Sequence, residues 1–519
     1  MNNVDKETNS TGKTLMKQTE IIQHLLKSYD IRGSGSLLLN GGVEAIAPAI
    51  LKYFKEIEHV DRIMIGSDMR QSSPRIVEVL TELAINAGLD VILLQEKSHA
   101  FVSTPFLYYT ASLPQYADCA SIMVTASHNP ETYNGMKMTG KRLRPIAKGS
   151  GLETIRRFAL ENTPLASGGS HKTGKIHYTF PHRNYLMHAL ELANVETNQF
   201  RGMKIFIDGL NGMAPQDLLP LMDMLGVDTS GSINCDPGNP WPSDRPDPMF
   251  SSNHDRLKRH MQNGSFDLGF MGDGDFDRIF LFSDTGEMIG GDFLTALLAE
   301  HYGASHARIG TDMRARLASK KMILASGSIP LDTRIGYTHI KDALYDYNRL
   351  GEYVPFGGEV SGHFYFRNEQ GMITENTLFV VLQALKRLRQ VPGRLQQILS
   401  AQNSAFHSGE MLFHFRDQTQ IRPALHSVKH RLGQGADIHT EDRRGVDLEA
   451  TLIRQNYRKY LEGSADDFLN IVVRLSGAEE NMVKSTIEAD SQARLDRYVS
   501  ELISILDTHT GYLIDCAKI

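Results

Sequence analysis

Two short stretches of this chain hold side chains whose types and spacing suit chemistry at an anion. In Thr125-Ala126-Ser127-His128-Asn129-Pro130, one serine hydroxyl is hemmed in by an imidazole, an amide and a proline. His128 can hydrogen-bond an anion attached there, Asn129 stabilises a tight turn, and Pro130 fixes the exit of the chain. Further along, Gly272-Asp273-Gly274-Asp275-Phe276-Asp277-Arg278 alternates three carboxylates through a glycine-bearing loop. Alternation in an extended loop aims all three at one centre, and all-oxygen ligation selects a hard cation such as Mg²⁺. An EF-hand opens with the same spacing, but it needs glycine where Arg278 stands and glutamate where Asp284 stands. A third cluster, Gly358-Glu359-Val360-Ser361-Gly362-His363, sets a carboxylate, a hydroxyl and an imidazole on a glycine turn. Such a carboxylate accepts two hydroxyl protons, which suits a sugar. Taken singly, each stretch also has an ordinary explanation: a capping serine, a solvated acidic turn, a decorated glycine turn.

Together, the serine hexapeptide and the following Tyr133-Asn134-Gly135-Met136-Lys137 resemble the active-site serine loop of the α-D-phosphohexomutases. In that family the serine carries the phosphoryl group passed to and from a sugar phosphate. The aspartate run resembles the family's metal loop, and Pro246-Asp247-Pro248 another of its loops. The resemblance implies that Asp273, Asp275, Asp277 and a phosphorylated Ser127 hold Mg²⁺. It places the basic groups Arg32, His128, Lys137 and Arg278 around Ser127, with His128 and Lys137 as rival proton-transfer groups. It gives Tyr29, Arg70 and Ser72 to the first domain's part of the site. Glu359, Ser361 and His363, with Tyr337 from a neighbouring loop, are implied to read the sugar's hydroxyls.

The expected activity interconverts hexose 1-phosphate and hexose 6-phosphate through a 1,6-bisphosphate, with mannose preferred and glucose also accepted. A phosphoglucosamine mutase is the alternative among enzymes. A phosphosugar-binding protein without turnover is the alternative outside them.

The C-terminal stretch Arg474-Leu475-Ser476-Gly477-Ala478-Glu479-Glu480 departs from the family's phosphate loop. Arg474, Ser476 and Gly477 are kept, but alanine replaces a threonine and Glu480 a proline. One hydroxyl donor is lost and a carboxylate is gained, and Lys484 offers a compensating point charge.

The elements that must position these residues read as alternating strands and helices. Arg62–Gly66, Val91–Leu94, Ser121–Val124, residues 203–207 and Phe266–Met271 are strand-like apolar runs, several of them leading into the motif loops. Helical spacing recurs at Val43, Ile46, Ile50 and Phe54, and again from Pro74 to Gly88. This order argues for α/β layering, and the resemblance implies three similar α/β-layered domains plus a smaller α+β C-terminal domain around a central cleft. The expected bounds are a loose tail over 1–20, then 21–180, 181–303, 304–408 and 409–519. Tyr29 to Gly33 reads as the entry to a glycine- and serine-rich loop.

A net charge of −6 gives no basic footprint for nucleic acid. No apolar run long enough for a membrane helix is expected. Three scattered cysteines, Cys119, Cys235 and Cys516, fit a reducing cytoplasm rather than a disulfide framework. The expected partner is a small phosphosugar, in a monomer or homodimer.

Overall fold

The strand that delivers Ser127, Ala120–Val124, is buried along its whole length, as a strand covered on both faces must be. It lies in a six-stranded sheet between Arg62–Ser67, which it pairs in parallel, and Tyr133–Thr139, which it pairs antiparallel. Asp90–Leu94 and Ile176–Thr179 continue the parallel side, and Ile31–Ser34 closes the other edge. The stretch read from sequence as a loop entry is therefore an edge strand, registered with Arg32 opposite Gly135. A glycine is needed opposite it, because a Cβ at Gly135 would come within 2.2 Å of the Ile31 carbonyl oxygen.

The computed structural model describes residues 18–26, 30–96, 100–162, 173–476 and 481–510. Tyr29, Gly477, Ala478 and Glu480 lie outside the described residues, as does most of the expected tail. The helix Gln18–Leu25 begins inside that tail and buries Ile22 and Leu25.

A second sheet runs Met288–Ile289, Ile279–Phe282, Leu268–Gly272, Ile205–Asp208, the last two paired in parallel. A third runs Ile329–Thr333, Arg308–Asp312, Phe356–Gly358, Phe364–Arg367, Ile373–Glu375. The fourth is wholly antiparallel and built around Met482–Ala489 and Leu469–Leu475. The chain is thus three mixed α/β layers followed by a sheet-containing C-terminal unit. One continuous apolar core joins the first three through Phe106, Tyr185, Phe270, Phe293 and Phe379. The fourth has a core of its own over its final helix, Gln492–Thr510.

Among the described residues one helical stretch, Gly35–Glu56, is long and apolar enough to cross a membrane by length and composition alone, and most of it is buried inside the protein. Its Ile46, Ile50 and Phe54 are packed inside the first unit's core.

Candidate active site

Ser127 sits just past the end of its strand with φ +51°, a left-handed conformation that a non-glycine residue adopts only when its surroundings impose it. The imposing groups can be named. Thr125 Oγ1 accepts from the Ser127 N–H at 2.8 Å and donates to Asp68 Oδ2 at 2.6 Å. Arg70 donates all five of its N–H groups. One goes to Asp68, and the rest go to the carbonyls of Ser127, Asn129, Pro130 and Tyr133 at 2.7–2.9 Å. The ring of Trp241, from the proline-rich loop, covers the guanidinium at 4.8 Å. Arg70 is fully buried, so it is neither a surface arginine nor free to line a substrate cleft: it holds the serine loop.

The aspartate loop is a folded turn rather than an extended run, with Phe276 at φ +61° tucked under Gly272. The turn still brings the carboxylates together: ligand atoms of Asp273, Asp275 and Asp277 lie within 4.8 Å of one another, all buried. Ser127 Oγ donates to Asp273 Oδ2 at 2.8 Å, so the hydroxyl belongs to the same cluster. Thr104, at the start of the helix Thr104–Ser112, anchors the loop from the first unit. Its hydroxyl donates to Asp275 at 2.5 Å and its N–H to the Asp275 carbonyl at 3.0 Å. Ser103 caps that helix on the Phe106 N–H, which fixes where Thr104 points.

The charges fit a cation. Burial and the charges of Asp277 and Asp275 push Asp273 well above the usual carboxylate range. Asp275 Oδ1 is buried with no hydrogen-bond partner, and buried Asp277 Oδ1 has only the His363 ring nitrogen at 3.4 Å. Orphaned carboxylate oxygens around one point are the donor set that Mg²⁺ requires. Lys137 Nζ bridges Asp275 at 2.6 Å and Asp277 at 2.5 Å. Burial alone would lower its pKa, but the three aspartates outweigh that and hold it protonated.

Arg278 ties three units together. Its N–H donates to Asp273 at 3.1 Å, its Nη2 to His128 Nδ1 at 2.8 Å, and its Nε approaches His363 at 3.3 Å. Asp247 lies 3.8 Å from its guanidinium. Burial, Arg278 and Arg32 hold His128 well below the usual histidine pKa, so it is neutral beside Ser127 Oγ at 3.1 Å. His363 behaves oppositely. Burial disfavours its charge, but Asp277 and Glu359 on its two sides raise it to about 9 despite Arg278.

Glu359 accepts from Tyr365 OH at 2.7 Å and the Gly336 N–H at 3.0 Å. His363 and Arg314 hold its pKa to about 2 against burial. Ser361 meets His363 at 3.2 Å. Tyr337 lies not in a loop but at the first position of the helix Tyr337–Arg349. The spacing of Ile340, Ala343, Leu344 and Tyr347 carries that helix in the sequence. Arg32 contacts Asn129 at 3.1 Å and also pairs with Asp30, and Ser72 accepts from Asn134 at 2.8 Å.

Three loops therefore meet. The fourth group stands apart, at the end of the C-terminal sheet. Arg474 and Lys484 are directly opposite each other on neighbouring strands and share one carboxylate, Glu410. The Ser476 N–H donates to the Met482 carbonyl at 2.9 Å, closing the base of that turn.

The phosphoglucomutase/phosphomannomutase α/β/α domain models I, II and III match residues 23–162, 183–286 and 290–406 in order. The chain belongs to the phosphoglucomutase/phosphomannomutase family. Within this α-D-phosphohexomutase group it is similar to a phosphomannomutase of Salmonella montevideo, 30% identical over 67% of this chain and 74% of that one. Phosphohexose mutases of Xanthomonas campestris match at the same identity and coverage. In fold it is similar to a phosphoglucomutase/phosphomannomutase family protein of Burkholderia thailandensis. That structure gives a TM-score of 0.77 at 22% identity, covering 95% of this chain and 98% of that one. A member of this family is a phosphotransferase enzyme. Thr104, Asp68, Arg314 and Glu410 are residues of this mutase that sequence reasoning did not single out.

Proposed function

We propose that this family member interconverts hexose 1-phosphates and hexose 6-phosphates through a phosphorylated Ser127, with mannose phosphate preferred and glucose phosphate accepted. The observation that carries the reading is the Ser127 hydroxyl, 2.8 Å from the first of three clustered, cation-hungry carboxylates. When bound, Mg²⁺ would neutralise phosphoryl charge so that a second anion can approach. Asp273, Asp275 and Asp277 would hold it. Ser127 gives its phosphoryl group to the sugar's free hydroxyl: the Ser127 Oγ–P bond breaks as the sugar O–P bond forms, and the proton leaving the sugar hydroxyl restores the Ser127 hydroxyl. The 1,6-bisphosphate then turns round, and its other phosphoryl group returns to Ser127.

In this reading Arg70 and Thr125 hold the serine, and protonated Lys137 and Arg278 stabilise charge at the transferring group. Neutral His128 accompanies Ser127 Oγ. Glu359, Ser361 and His363 read the sugar hydroxyls, while Arg474 and Lys484 take the non-reacting phosphate. The four units take bounds near residues 180, 303 and 408, and the scattered cysteines support a cytoplasmic enzyme.

A coupled mutase assay across mannose, glucose and glucosamine 1-phosphates tests the activity and its sugar. Turnover of the first two is expected, with Ser127→Ala inactive and phosphate found on Ser127 by peptide mapping. A rate confined to glucosamine 1-phosphate would replace the sugar assignment, and a fully active Ser127→Ala variant would end the phosphoserine mechanism.

A further inference from the structure

Glu410 stands immediately before the strand Met411–His414, which pairs with Met482–Ala489 on the side away from Leu469–Leu475. Its two carboxylate oxygens are divided between two cations. Oε1 meets Arg474 Nη2 at 2.5 Å and Oε2 meets Lys484 Nζ at 3.4 Å. Arg474 and Lys484 are cross-strand partners, a placement in which like charges repel. A third cation, Arg314, is fixed by Asp312 at 2.8 Å, and its charge also reaches Glu410. All three ionic side chains of the bridge are largely but not wholly covered, with exposures of 12%, 18% and 23%. They are screened weakly and remain reachable from solvent.

We propose that Glu410 is a built-in competitor of the substrate's phosphate, holding the C-terminal cations until a phosphoryl dianion displaces it. This rests on the reading that Arg474 and Lys484 hold the non-reacting phosphate. A carboxylate that only oriented the arginine would bond it from behind and leave the lysine alone. Glu410 instead bridges both cations, as two oxygens of one phosphate would. The charges agree: Asp312 already neutralises Arg314, so the two positive charges of Arg474 and Lys484 are matched by a phosphoryl dianion alone, and Glu410 at the same contacts is one negative charge too many. The long lysine contact is the point at which exchange begins. The same competition serves turnover, because a bisphosphate that must let go, turn and rebind is released faster when a resident anion takes back the cations.

Inorganic phosphate, as a competitive inhibitor of the full-length enzyme, tests this alongside KM and kcat for a hexose 1-phosphate. Glu410→Gln keeps the shape and removes the charge. Its phosphate Ki and its KM should both fall about three- to tenfold, the scale of one screened charge at this range. Its kcat should fall as well, because the bisphosphate is held longer. Glu410→Ala should move all three in the same directions and serves if the amide variant does not fold. Arg474→Ala should raise Ki and KM. If Arg474→Ala leaves both unchanged, the phosphate-site reading itself has failed. If it raises them while Glu410→Gln and Glu410→Ala bind phosphate as the wild type does, or more weakly, the competitor role is overturned and the phosphate site stands.

Discussion

Thr104 grips Asp275 twice, by its hydroxyl to the carboxylate at 2.5 Å and by its N–H to the carbonyl at 3.0 Å. A helix start of the first unit thereby fixes the central carboxylate of a loop that belongs to the second. Thr104→Val keeps the side chain's shape and removes one hydrogen bond to a charged group, worth about 1.5–3 kcal/mol. The Mg²⁺ dissociation constant, measured by calorimetry, should rise roughly tenfold or more. An unchanged constant would mean that the backbone bond alone sets the loop.

Arg70 cannot be replaced by lysine, although the charge is kept, because an ammonium has three donors where five are used. Arg70→Lys should cut kcat strongly while KM moves little, since the serine loop loses its brace and the sugar contacts do not. Arg70→Ala, which strands buried Asp68, should lose about 3–5 kcal/mol in denaturant unfolding. Wild-type kcat in Arg70→Lys would refute the bracing role.

Three mutually repelling carboxylates predict stabilisation by their cation. Mg²⁺ at a hundred times its dissociation constant should stabilise the wild type by about 2.7 kcal/mol, visible as a raised Tm. Asp275→Asn should abolish that response, and chelation should stop turnover until Mg²⁺ is restored. A Tm of the wild type indifferent to Mg²⁺ would argue that Lys137, which already bridges Asp275 and Asp277, is the site's permanent counter-ion.

Buried Glu488 gives a pH dependence of opposite sign to most carboxylates. It accepts from the Leu317 N–H at 2.9 Å, at the start of the helix Leu317–Ala325, and burial raises its pKa from 4.5 to about 7 despite Arg316. The folded state then holds a proton that the unfolded state releases between these values. The contribution is therefore complete below about pH 4.5 and is lost as pH rises through about 7. Glu488→Gln should flatten this part of the profile and raise Tm relative to wild type at pH 8. A Tm difference that stays constant from pH 5 to 8 would dismiss the buried proton.

The strands and motif loops were legible in the sequence because each is local. An apolar run of four or five residues must be covered, and the polar cluster that ends it must emerge. Ser127 and the three aspartates are legible this way, and the Glu359 loop as a glycine turn ahead of the run Phe364–Phe366. Arg70 was legible only as an arginine, because its four carbonyl partners lie 57–63 residues away. Thr104 and Asp275 are 171 residues apart, and no spacing rule connects them. Ile31–Ser34 was missed as a strand since only pairing with Tyr133–Thr139 makes it one. Tyr337 was misplaced because the polar first turn of its helix hides a period that starts at Ile340. Ser476 and Lys484 lie at the sheet end, but Glu410, which neutralises the cations there, carries no motif at all.

Gly274 lies so close to the serine loop that a Cβ there would stand 2.5 Å from the Ser127 carbonyl oxygen and 3.0 Å from Pro246. The first two units are thus joined backbone to backbone at the reacting centre, not merely by a shared core. A chimera that takes one unit from a relative inherits half a joint. To work, the exchange must carry Thr104, the serine loop, residues 241–247 and the aspartate turn as a single heritable block, wherever the domain borders are drawn.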